Sequence, residues 1–428
     1  MSARTARRRP LAAAAPRLAT LAAAAATLTS LAAVTPSTAR FSDPGAASAV
    51  LEAAEDEELL LTGGVEAGDG HSIGWTEEGE LFAWGRNREG QLGIGTAEPA
   101  DGQGYPRPVR VPLPAGERVV NACAGADATI AVTEDADGNH GVFTWGGSSG
   151  GVGGSWANNT PSPRRVTELD RPDDPVVQVE AGAYFYLALT EEGRLFSWGL
   201  ADNRLGRPVA AGNPNAPPAL VTAGPLSEPG VTVRDASAGR FHAAAVTGDG
   251  RVVVWGTPQT GSSTGAEVTG IVGVPVEVAA GRDVTLIRTE EGQVFRADGS
   301  QAVAVAMSDG LPVDGIAVSS PVEPGSAPSF YAWRTRDGAR TLHVWGDNSN
   351  GQLGILRTQI THADTPRTTG LPPSSYPRRI AAGGAHALYE STSGQYAAAG
   401  ANNLGQLGDG TRVDHDLFVY VINLSRWF

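Results

Sequence analysis

One segment of the sequence has the spacing of a nucleophile elbow. Gly146-Gly147-Ser148-Ser149-Gly150 matches the Gly-x-Ser-x-Gly pattern, which needs a turn between a strand and a helix to expose its serine. No amphipathic helix pattern follows, and glycines continue to Gly154. We therefore predict a loop here and no catalytic serine.

A second segment offers oxygen atoms at alternating positions, as calcium-binding loops do. It reads Asp135-Ala136-Asp137-Gly138-Asn139, but its sixth position is His140 instead of glycine and its twelfth is Gly146 instead of an acid. An ordinary hairpin turn explains the same residues, so we predict no metal site.

Three of the seven histidines, His71, His242 and His386, each stand three residues after the glycine of an Ala-Gly pair. Histidines brought to one axis could hold a metal ion, whereas an imidazole beside such a turn could bridge backbone groups of adjacent strands. The corresponding places elsewhere hold alanine, phenylalanine or valine, so the ligand set is incomplete. We predict a structural role for the three and no bound metal or other cofactor.

Composition narrows the chemistry further. The 428 residues include 32 basic ones, all of them arginine, which excludes every mechanism that needs a lysine. The single cysteine, Cys123, excludes an internal disulfide and a metal site made of cysteines alone.

Residues 1–39 have the pattern of a secretory signal peptide. Five arginines precede a stretch of mostly Leu, Ala and Thr over residues 18–34, and Ser37 and Ala39 fit a small-x-small cleavage site. An uncut membrane anchor is the alternative, but these 17 residues are short for a span that needs about 20. We expect cleavage, a flexible acidic linker over 40–58, and a secreted, extracellular or cell-envelope protein with no stable membrane insertion.

Removal of residues 1–39 would leave 27 arginines against 46 acidic residues, a net charge of −19. Such a surface repels the phosphates of nucleic acids unless basic residues cluster, and the sequence has no basic run in this part. Nucleic acid is therefore not an expected partner.

From residue 59 onward the chain repeats one module seven times. The clearest copies share an Ala-Gly turn, an alternating apolar run, an acidic-Gly turn and a Trp-Gly pair. Period-two alternation between glycine turns gives four strands per module. For 59–428 we predict an all-β seven-bladed β-propeller of four-stranded antiparallel blades. The Trp positions, spaced by 52.5 residues on average, are Trp84, Trp145, Trp198, Trp255, Ala297, Trp345 and Ala399.

The two ends of this domain predict how the ring closes. The first module begins without a proline-led strand, and the chain ends with an additional strand over 417–424. We therefore predict that the C-terminal strand joins the first blade. An open stack of repeats would instead need polar capping units at both ends.

The tails after the Trp-Gly pairs carry a family resemblance. Trp84-Gly85-Arg86-Asn87-Arg88-Glu89-Gly90-Gln91-Leu92-Gly93 returns as Trp345-Gly346-Asp347-Asn348-Ser349-Asn350-Gly351-Gln352-Leu353-Gly354. With the Ala-Gly-x-x-His turns, residues 59–428 resemble the regulator-of-chromosome-condensation repeat family. The predicted signal peptide makes the chain similar to a bacterial exported member. The resemblance implies a seven-bladed propeller and does not imply one function.

Three family activities follow as expectations from the resemblance. The founding member is a nucleotide-exchange factor for a small GTPase on chromatin, and Asp69, His71, His242 and His386 match its working turn residues. Export and the negative charge argue against a chromatin partner. A plant ultraviolet-B photoreceptor of similar fold places tryptophan before these histidines, which this chain does not. Secreted bacterial β-lactamase-inhibitor propellers are similar in compartment and bind through loops on one face.

The variable residues inside the Ala-Gly turns should gather on one face of the ring, where a rigid scaffold presents them for recognition. Trp156, in a Gly/Asn-rich loop, is a candidate anchor for a partner. The sixth turn cannot be located in the sequence. The candidate binding residues are Asp69, His71, Asp127, Trp156, Tyr184, Arg240, His242, Arg282, Asp283 and His386.

The sequence therefore predicts a monomeric, non-enzymatic scaffold that binds another protein through these loops. The alternatives are a secreted enzyme inhibitor similar to the β-lactamase-inhibitor propellers, an exchange-factor-like regulator, and an enzyme that uses a carboxylate or histidine in the central tunnel. The enzyme would need several tunnel residues with shifted pKa values within hydrogen-bond reach of one another.

Overall fold

The computed structural model of the protein describes residues 63–97, 102–147, 159–209, 215–256, 262–321, 325–335, 341–371, 377–391 and 394–421. The predicted signal peptide, the predicted linker and Trp156 lie outside these residues. Among the helices of the described segments, none has the length and apolar character needed to cross a membrane.

Twenty-eight strands form seven four-stranded antiparallel sheets in the described part of the chain, and each sheet is a blade of four consecutive strands. Blade one holds β1 (Gly64–Ala67), β2 (His71–Trp75), β3 (Leu81–Gly85) and β4 (Tyr105–Arg110). Blade two holds β5 (Arg118–Ala124), β6 (Ala128–Glu134), β7 (His140–Gly146) and β8 (Thr160–Arg165). Blade three holds β9 (Val176–Ala181), β10 (Phe185–Thr190), β11 (Leu195–Leu200) and β12 (Asn215–Leu220).

The remaining blades repeat this order. Blade four holds β13 (Val233–Ala238), β14 (His242–Thr247), β15 (Val252–Gly256) and β16 (Ser262–Glu267). Blade five holds β17 (Pro275–Ala280), β18 (Thr285–Thr289), β19 (Val294–Ala297) and β20 (Ala302–Val305). Blade six holds β21 (Gly315–Val318), β22 (Ser329–Arg334), β23 (Thr341–Asp347) and β24 (His362–Thr368). Blade seven holds β25 (Pro377–Ala382), β26 (His386–Ser391), β27 (Tyr396–Gly400) and β28 (His415–Tyr420). In the described segments, three short 3-10 helices lie in the connections: Thr167–Leu169, Asn203–Leu205 and Gly224–Ser227.

The strand pattern follows the sequence closely. The second and third strands of a blade lie between neighbouring blades, and in blade one every residue of β2 and β3 is buried. The fourth strand is the outer edge, where exposed and buried residues mix. Prolines stand in several of these edge strands, for example Pro106 and Pro108 in β4, where they discourage pairing with another chain. The predicted all-β seven-bladed propeller is confirmed.

The predicted closure of the ring is wrong. β28 pairs with β27 in blade seven, and blade one is complete with β1 to β4. The proline-led strand follows the Trp-Gly tail of its own blade, so His415–Tyr420 is the fourth strand that blade seven needs. No strand from the described C-terminal segment enters blade one.

Instead, the ring closes through the contact that joins other neighbouring blades. The indole Nε1 of Trp145 donates to the carbonyl of Gln91 in the tail of blade one, at 2.9 Å. Across the closing interface, Trp84 Nε1 donates to the carbonyl of Gln406 in the tail of blade seven, at 3.0 Å. Since the tail of one blade holds the tryptophan of the next, the family-like tail motif has a structural role here.

Candidate functional site

The innermost strands of all seven blades line a central channel with a volume of about 540 Å³. Because side chains alternate along a strand, the residues two and four places before each turn form two layers of the channel wall. The layer nearer the turns contains Glu66, Cys123, Glu180 and Ser237, and the next contains Asn121, Gln178, Asp235, Glu277 and Arg379.

Many channel side chains connect neighbouring blades. The inner edge of each blade leaves backbone N–H groups that need acceptors. Asn121 Oδ1 accepts from Val179 N at 2.9 Å, and Asp235 Oδ2 accepts from Val278 N at 2.8 Å. Ser237 Oγ likewise accepts from the backbone N–H of Ala280 at 3.0 Å. The polar channel wall therefore has a structural reason that is independent of any ligand.

Three carboxyl groups of the channel have strongly raised pKa values. Burial is the main cause, and it raises the pKa of Glu66 to about 7, of Glu180 to about 8 and of Asp235 to about 7. The carboxylate of Glu66 adds to the shift at Glu180, while Arg379 opposes the shift at Glu66. Gln178 Nε2 joins two of them, donating to Asp235 Oδ1 at 3.2 Å and to Glu180 Oε1 at 3.4 Å. The enzyme alternative requires shifted carboxyl groups within hydrogen-bond reach of one another, whereas here the side chain of Gln178 connects Glu180 to Asp235.

These shifts predict a stability that falls as the pH rises from about 4.5 to about 8. The folded-state pKa of Glu180 is about 8 against an ordinary value of 4.5, so its stabilising protonated form is lost as the pH rises towards 8. Between pH 6.5 and 9 we expect the free energy of unfolding of the wild type to fall by on the order of 1–2 kcal/mol more than that of Glu180→Gln. Water in the channel keeps this difference below the full value of the pKa shift. Urea unfolding at several pH values measures this, with Glu191→Gln on an exposed turn as the control. A wild type and a Glu180→Gln variant with parallel pH profiles would contradict the prediction.

A ring of glycine turns narrows one end of the channel. The void beneath the turns has a volume of only about 40 Å³. Asp69 N donates to Gly125 O at 3.3 Å, Arg240 N to Gly281 O at 3.1 Å, and Gly384 N to Gly68 O at 3.1 Å. A methyl group on Gly239 would lie 2.0 Å from the Gly281 carbonyl oxygen, so glycine is needed here for close approach between blades.

The three equivalent histidines lie inside the blade interfaces and are fully buried. His71 Nε2 lies 2.9 Å from Thr129 Oγ1 of blade two, and His386 Nε2 lies 2.8 Å from Ser72 Oγ of blade one. Thr129 and Ser72 donate their own protons to backbone carbonyls, so each imidazole Nε2 is the donor in its pair. His242 makes the same kind of contact, with its Nε2 2.9 Å from Thr285 Oγ1.

Burial also fixes the charge of these histidines. It lowers the pKa of His71 and His386 to about 3 and that of His242 to about 4, so all three are neutral near pH 7. A partner that docks on the loops cannot reach them, and we remove them from the candidate binding surface. Their repeat spacing indicated equivalence, but the direction of their side chains depended on how the blades pack.

The other described candidate residues lie on the face that carries the Ala-Gly turns, which we call the turn face. They are Asp69, Asp127, Tyr184, Arg240, Arg282 and Asp283. Here Arg86 connects two predicted residues, with its Nη1 3.3 Å from Asp127 Oδ1 and 3.8 Å from Asp69 Oδ2. Burial raises the pKa of Asp127, and Arg86 opposes that shift. Arg86 was missed in the sequence analysis, although it directly follows the first Trp-Gly pair.

Arginine–aromatic contacts order the rest of the turn face. The Arg204 guanidinium lies 5.2 Å from the ring centre of Tyr184 and pairs with Asp202. The guanidinium groups of Arg240 and Arg282 lie 4.9 and 5.6 Å from the ring centre of Phe241. Such contacts contribute about 0.5–1 kcal/mol each at exposed sites, and they hold these side chains in defined positions.

The sixth turn, which the sequence did not locate, begins at Ser319. The N–H of Ser319 donates to the carbonyl of Ser329 at 2.9 Å. In the other blades, the N–H of the turn glycine donates in the same way to a carbonyl at the start of the second strand. The carbonyl of Pro321 accepts from Arg240 Nη1 at 3.0 Å and from Arg282 Nη1 at 3.2 Å. Asp283, the residue after Arg282, is exposed. The structure thus brings Arg240 and Arg282 together and leaves Trp156 undescribed.

Within the described segments, no group of three or more His, Cys, Asp or Glu side chains is arranged to hold a metal ion. The chain does match known proteins. The model of the regulator of chromosome condensation (RCC1) repeat matches residues 78–132, and a second model of the same repeat matches residues 64–91, 176–207 and 233–261.

Among relatives, the chain is 34% identical to the human E3 ubiquitin-protein ligase HERC2 over 197 residues, which is 45% of this chain. It spans only 4% of that ligase's length. It is 26% identical to the ultraviolet-B receptor UVR8 of Arabidopsis thaliana, covering 82% of this chain and 80% of the receptor. The crystal structure of human WBSCR16 has the same fold, with a TM-score of 0.67, 21% identity, and 80% and 94% of the two chains covered. The described domain is thus a seven-bladed β-propeller, and parts of it match the models of the RCC1 repeat.

Proposed function

We propose that this protein is an exported, non-enzymatic scaffold that binds another protein through its turn face. The observation that carries the proposal is the ordered set of charged and aromatic side chains around the narrowed end of the channel. Arg86 lies between two carboxylates, and Arg240 and Arg282 flank one phenylalanine. Side chains held in place before binding lose less conformational entropy when a partner docks.

The architecture gives further support. The glycine ring and the buried contacts between tryptophans and tails make a stiff support for loops, and such loops commonly carry recognition. The names of the relatives, a receptor and a ubiquitin ligase, are compatible with a binding domain within a regulatory protein. The negative charge of the chain favours a protein partner over nucleic acid.

Affinity capture tests the proposal directly. The tagged full chain is presented to culture fluid and cell-surface extract of its source organism. Separately, N-terminal sequencing of the secreted chain tests whether it is cleaved after residue 39. The binding variant replaces Asp69, Tyr184 and Arg240 by alanine. A matched control replaces Glu78, Glu191 and Glu290, which lie exposed on turns of the opposite face.

We expect the wild type and the control to capture the same protein in equal amounts. The turn-face variant should capture at least about tenfold less of it, because the loss of each anchor of an interface costs more than about 1 kcal/mol. Equal capture by both variants would remove the turn face from consideration. Loss of capture by the control alone would move the binding surface to the opposite face.

The channel carboxyl groups favour one second candidate, an enzyme with its site in the channel. Glu66 and Glu180 lie in the same layer of the channel wall, and their raised pKa values suit acid–base chemistry near neutral pH. If secreted protein turned over a small molecule, and Glu66→Gln abolished that turnover while leaving partner capture intact, the channel would be an active site. Turnover unchanged in Glu66→Gln and Glu180→Gln would exclude this candidate.

A further inference from the structure

Blade six departs from the repeat at two positions on the same face of its sheet. His343 occupies the place two residues before the Trp-Gly tryptophan, which is apolar in every other blade. Arg334 lies on the adjacent strand, at the place where every other blade has threonine or serine. The residues equivalent to His343 are Phe82, Phe143, Phe196, Val253, Phe295 and Ala397, and those equivalent to Arg334 are Thr76, Thr133, Thr190, Thr247, Thr289 and Ser391.

The register makes the two substitutions neighbours. His343 pairs with Ala332, and Arg334 pairs with Thr341, so Arg334 and His343 are diagonal neighbours on one face. Long side chains reach each other across this diagonal. A cation and an imidazole have therefore replaced a small hydroxyl and an apolar side chain at one place in the interface with blade five.

The hydroxyl that was replaced has a clear task elsewhere. Thr190 Oγ1 accepts from Arg194 N at 3.1 Å, and Thr247 Oγ1 accepts from Arg251 N at 2.9 Å, which closes the hairpin that follows. An arginine has no acceptor atom and cannot make this bond. Arg334 therefore does not serve the hairpin as its equivalents do.

Arg334 is buried, and two of its nitrogen atoms lack acceptors. Only 8% of the residue is exposed, and among the described residues its Nε and Nη1 have no hydrogen-bond partner. Burial of an unpaired charge is costly, so such a group signals a missing acceptor. A guanidinium group is a cation with donors only, so the acceptor that it needs is anionic or strongly dipolar.

Other polar groups surround the same place. His343 is fully buried, with its Nδ1 3.2 Å from Ser308 Oγ and its Nε2 3.5 Å from Asp309 Oδ2. Burial lowers the pKa of His343, and Arg334 adds to the effect while Asp309 opposes it. Ser308 and Asp309 belong to the connection between blades five and six, and both are exposed.

An open groove touches this cluster at Ser308. Ser308 lines it together with Thr368 and Thr369 at the edge of blade six, and its volume is about 610 Å³. Small ions and ligand head groups fit in such a space. The groove lies at the outer strands, whereas the turn face surrounds the channel axis, so this site does not depend on the proposed protein-binding function.

We propose that blade six binds a small oxyanion, a phosphate or carboxylate group, at a site formed by Arg334, His343 and Ser308. Arg334 supplies the positive charge and two unused donors. Ser308 and His343 supply further hydrogen-bonding groups, and Asp309 sets the orientation of the imidazole. The site exists in one blade because the other six keep the apolar residue and the small hydroxyl of the repeat.

Calorimetric titration of the full chain with inorganic phosphate and with acetate, in sodium chloride of constant ionic strength, tests the site. The two titrations distinguish a phosphate group from a carboxylate group. The variants are Arg334→Thr and His343→Phe, each of which restores the residue type of other blades and is therefore expected to fold. Arg367→Thr is the charge control, since Arg367 lines the same groove but lies on the exposed edge strand β24.

We expect the wild type to bind at least one of the two anions. The affinity should fall about tenfold or more in Arg334→Thr and severalfold in His343→Phe, and it should stay within about twofold of the wild-type value in Arg367→Thr. In thermal unfolding, the anion should raise the Tm of the wild type and leave that of Arg334→Thr unaffected. If neither anion binds at concentrations up to about 20 mM, the proposal is overturned. Equal binding by the wild type and Arg334→Thr would overturn it as well.

Discussion

Replacing Gly239 by alanine should destabilise the propeller by about 3 kcal/mol or more, because the new methyl group has no room and its neighbour cannot move easily. It would lie 2.0 Å from the carbonyl oxygen of Gly281 in the next blade. That carbonyl already accepts from Arg240 N at 3.1 Å, so relief of the clash would break the hydrogen bond between the turns. Denaturant unfolding at fixed pH measures the loss.

A matched control separates this clash from the general effect of losing a glycine. A methyl group added at Gly370 would meet no atom within 4 Å, and this glycine does not have a left-handed backbone. Gly370→Ala should therefore change stability by less than about 0.5 kcal/mol or increase it slightly. A Gly239→Ala variant as stable as Gly370→Ala would show that the blades are free to separate at the turns. The glycine ring would then not define the narrow end of the channel.

Trp84→Ala should cost about 3–5 kcal/mol, as large truncations in a core do. Trp84 is 1% exposed at the interface between the first and last blades, and its indole bonds the Gln406 carbonyl. Trp255→Ala is the informative comparison, because Trp255 is fully buried and bonds the Arg204 carbonyl at 2.9 Å between blades three and four. If the ring closes by the ordinary blade contact, the two substitutions should have similar effects in urea unfolding.

The opposite result would identify a special closure. A much smaller loss in Trp84→Ala than in Trp255→Ala would mean that something other than the tail contact joins blades one and seven. The side-chain contacts of Arg412, whose Nε and Nη2 donate to the carbonyls of Gln103 and Gly104 at 2.9 Å, are the first place to look. Arg412→Ala alone should cost little, since these contacts lie near the surface.

The fold could be predicted because its signals are local. Trp-Gly pairs, acidic-Gly turns and period-two alternation recur along the chain, and each copy must bury the same faces against its neighbours. The error about the closing strand has a simple cause: a repeat period does not say where a unit begins. Assigning the proline-led strand to the following unit left 417–424 as an apparent surplus strand. The sheet pairing instead assigns the observed strand, His415–Tyr420, to the unit that precedes it.

The candidate site was predictable only in part. Asp69, Asp127, Tyr184, Arg240 and Arg282 share a face because equivalent turns of a ring must. Their partners could not be predicted, since Arg86 and Pro321 meet them through folds of the chain that no spacing encodes. The histidines illustrate the limit most clearly, because the same spacing is compatible with the channel axis and with the blade interface.

By itself, the sequence determined the number of blades, their four-strand pattern and the residues that turn between strands, because these depend on neighbouring residues and on a repeated apolar face. Only the tertiary structure decided which way the histidines point, why the turn glycines must be glycine, and that two nitrogen atoms of the buried Arg334 lack an acceptor among the described residues. These properties depend on distances between residues of different blades, and the close approach of two blades is set by the packing of the whole ring.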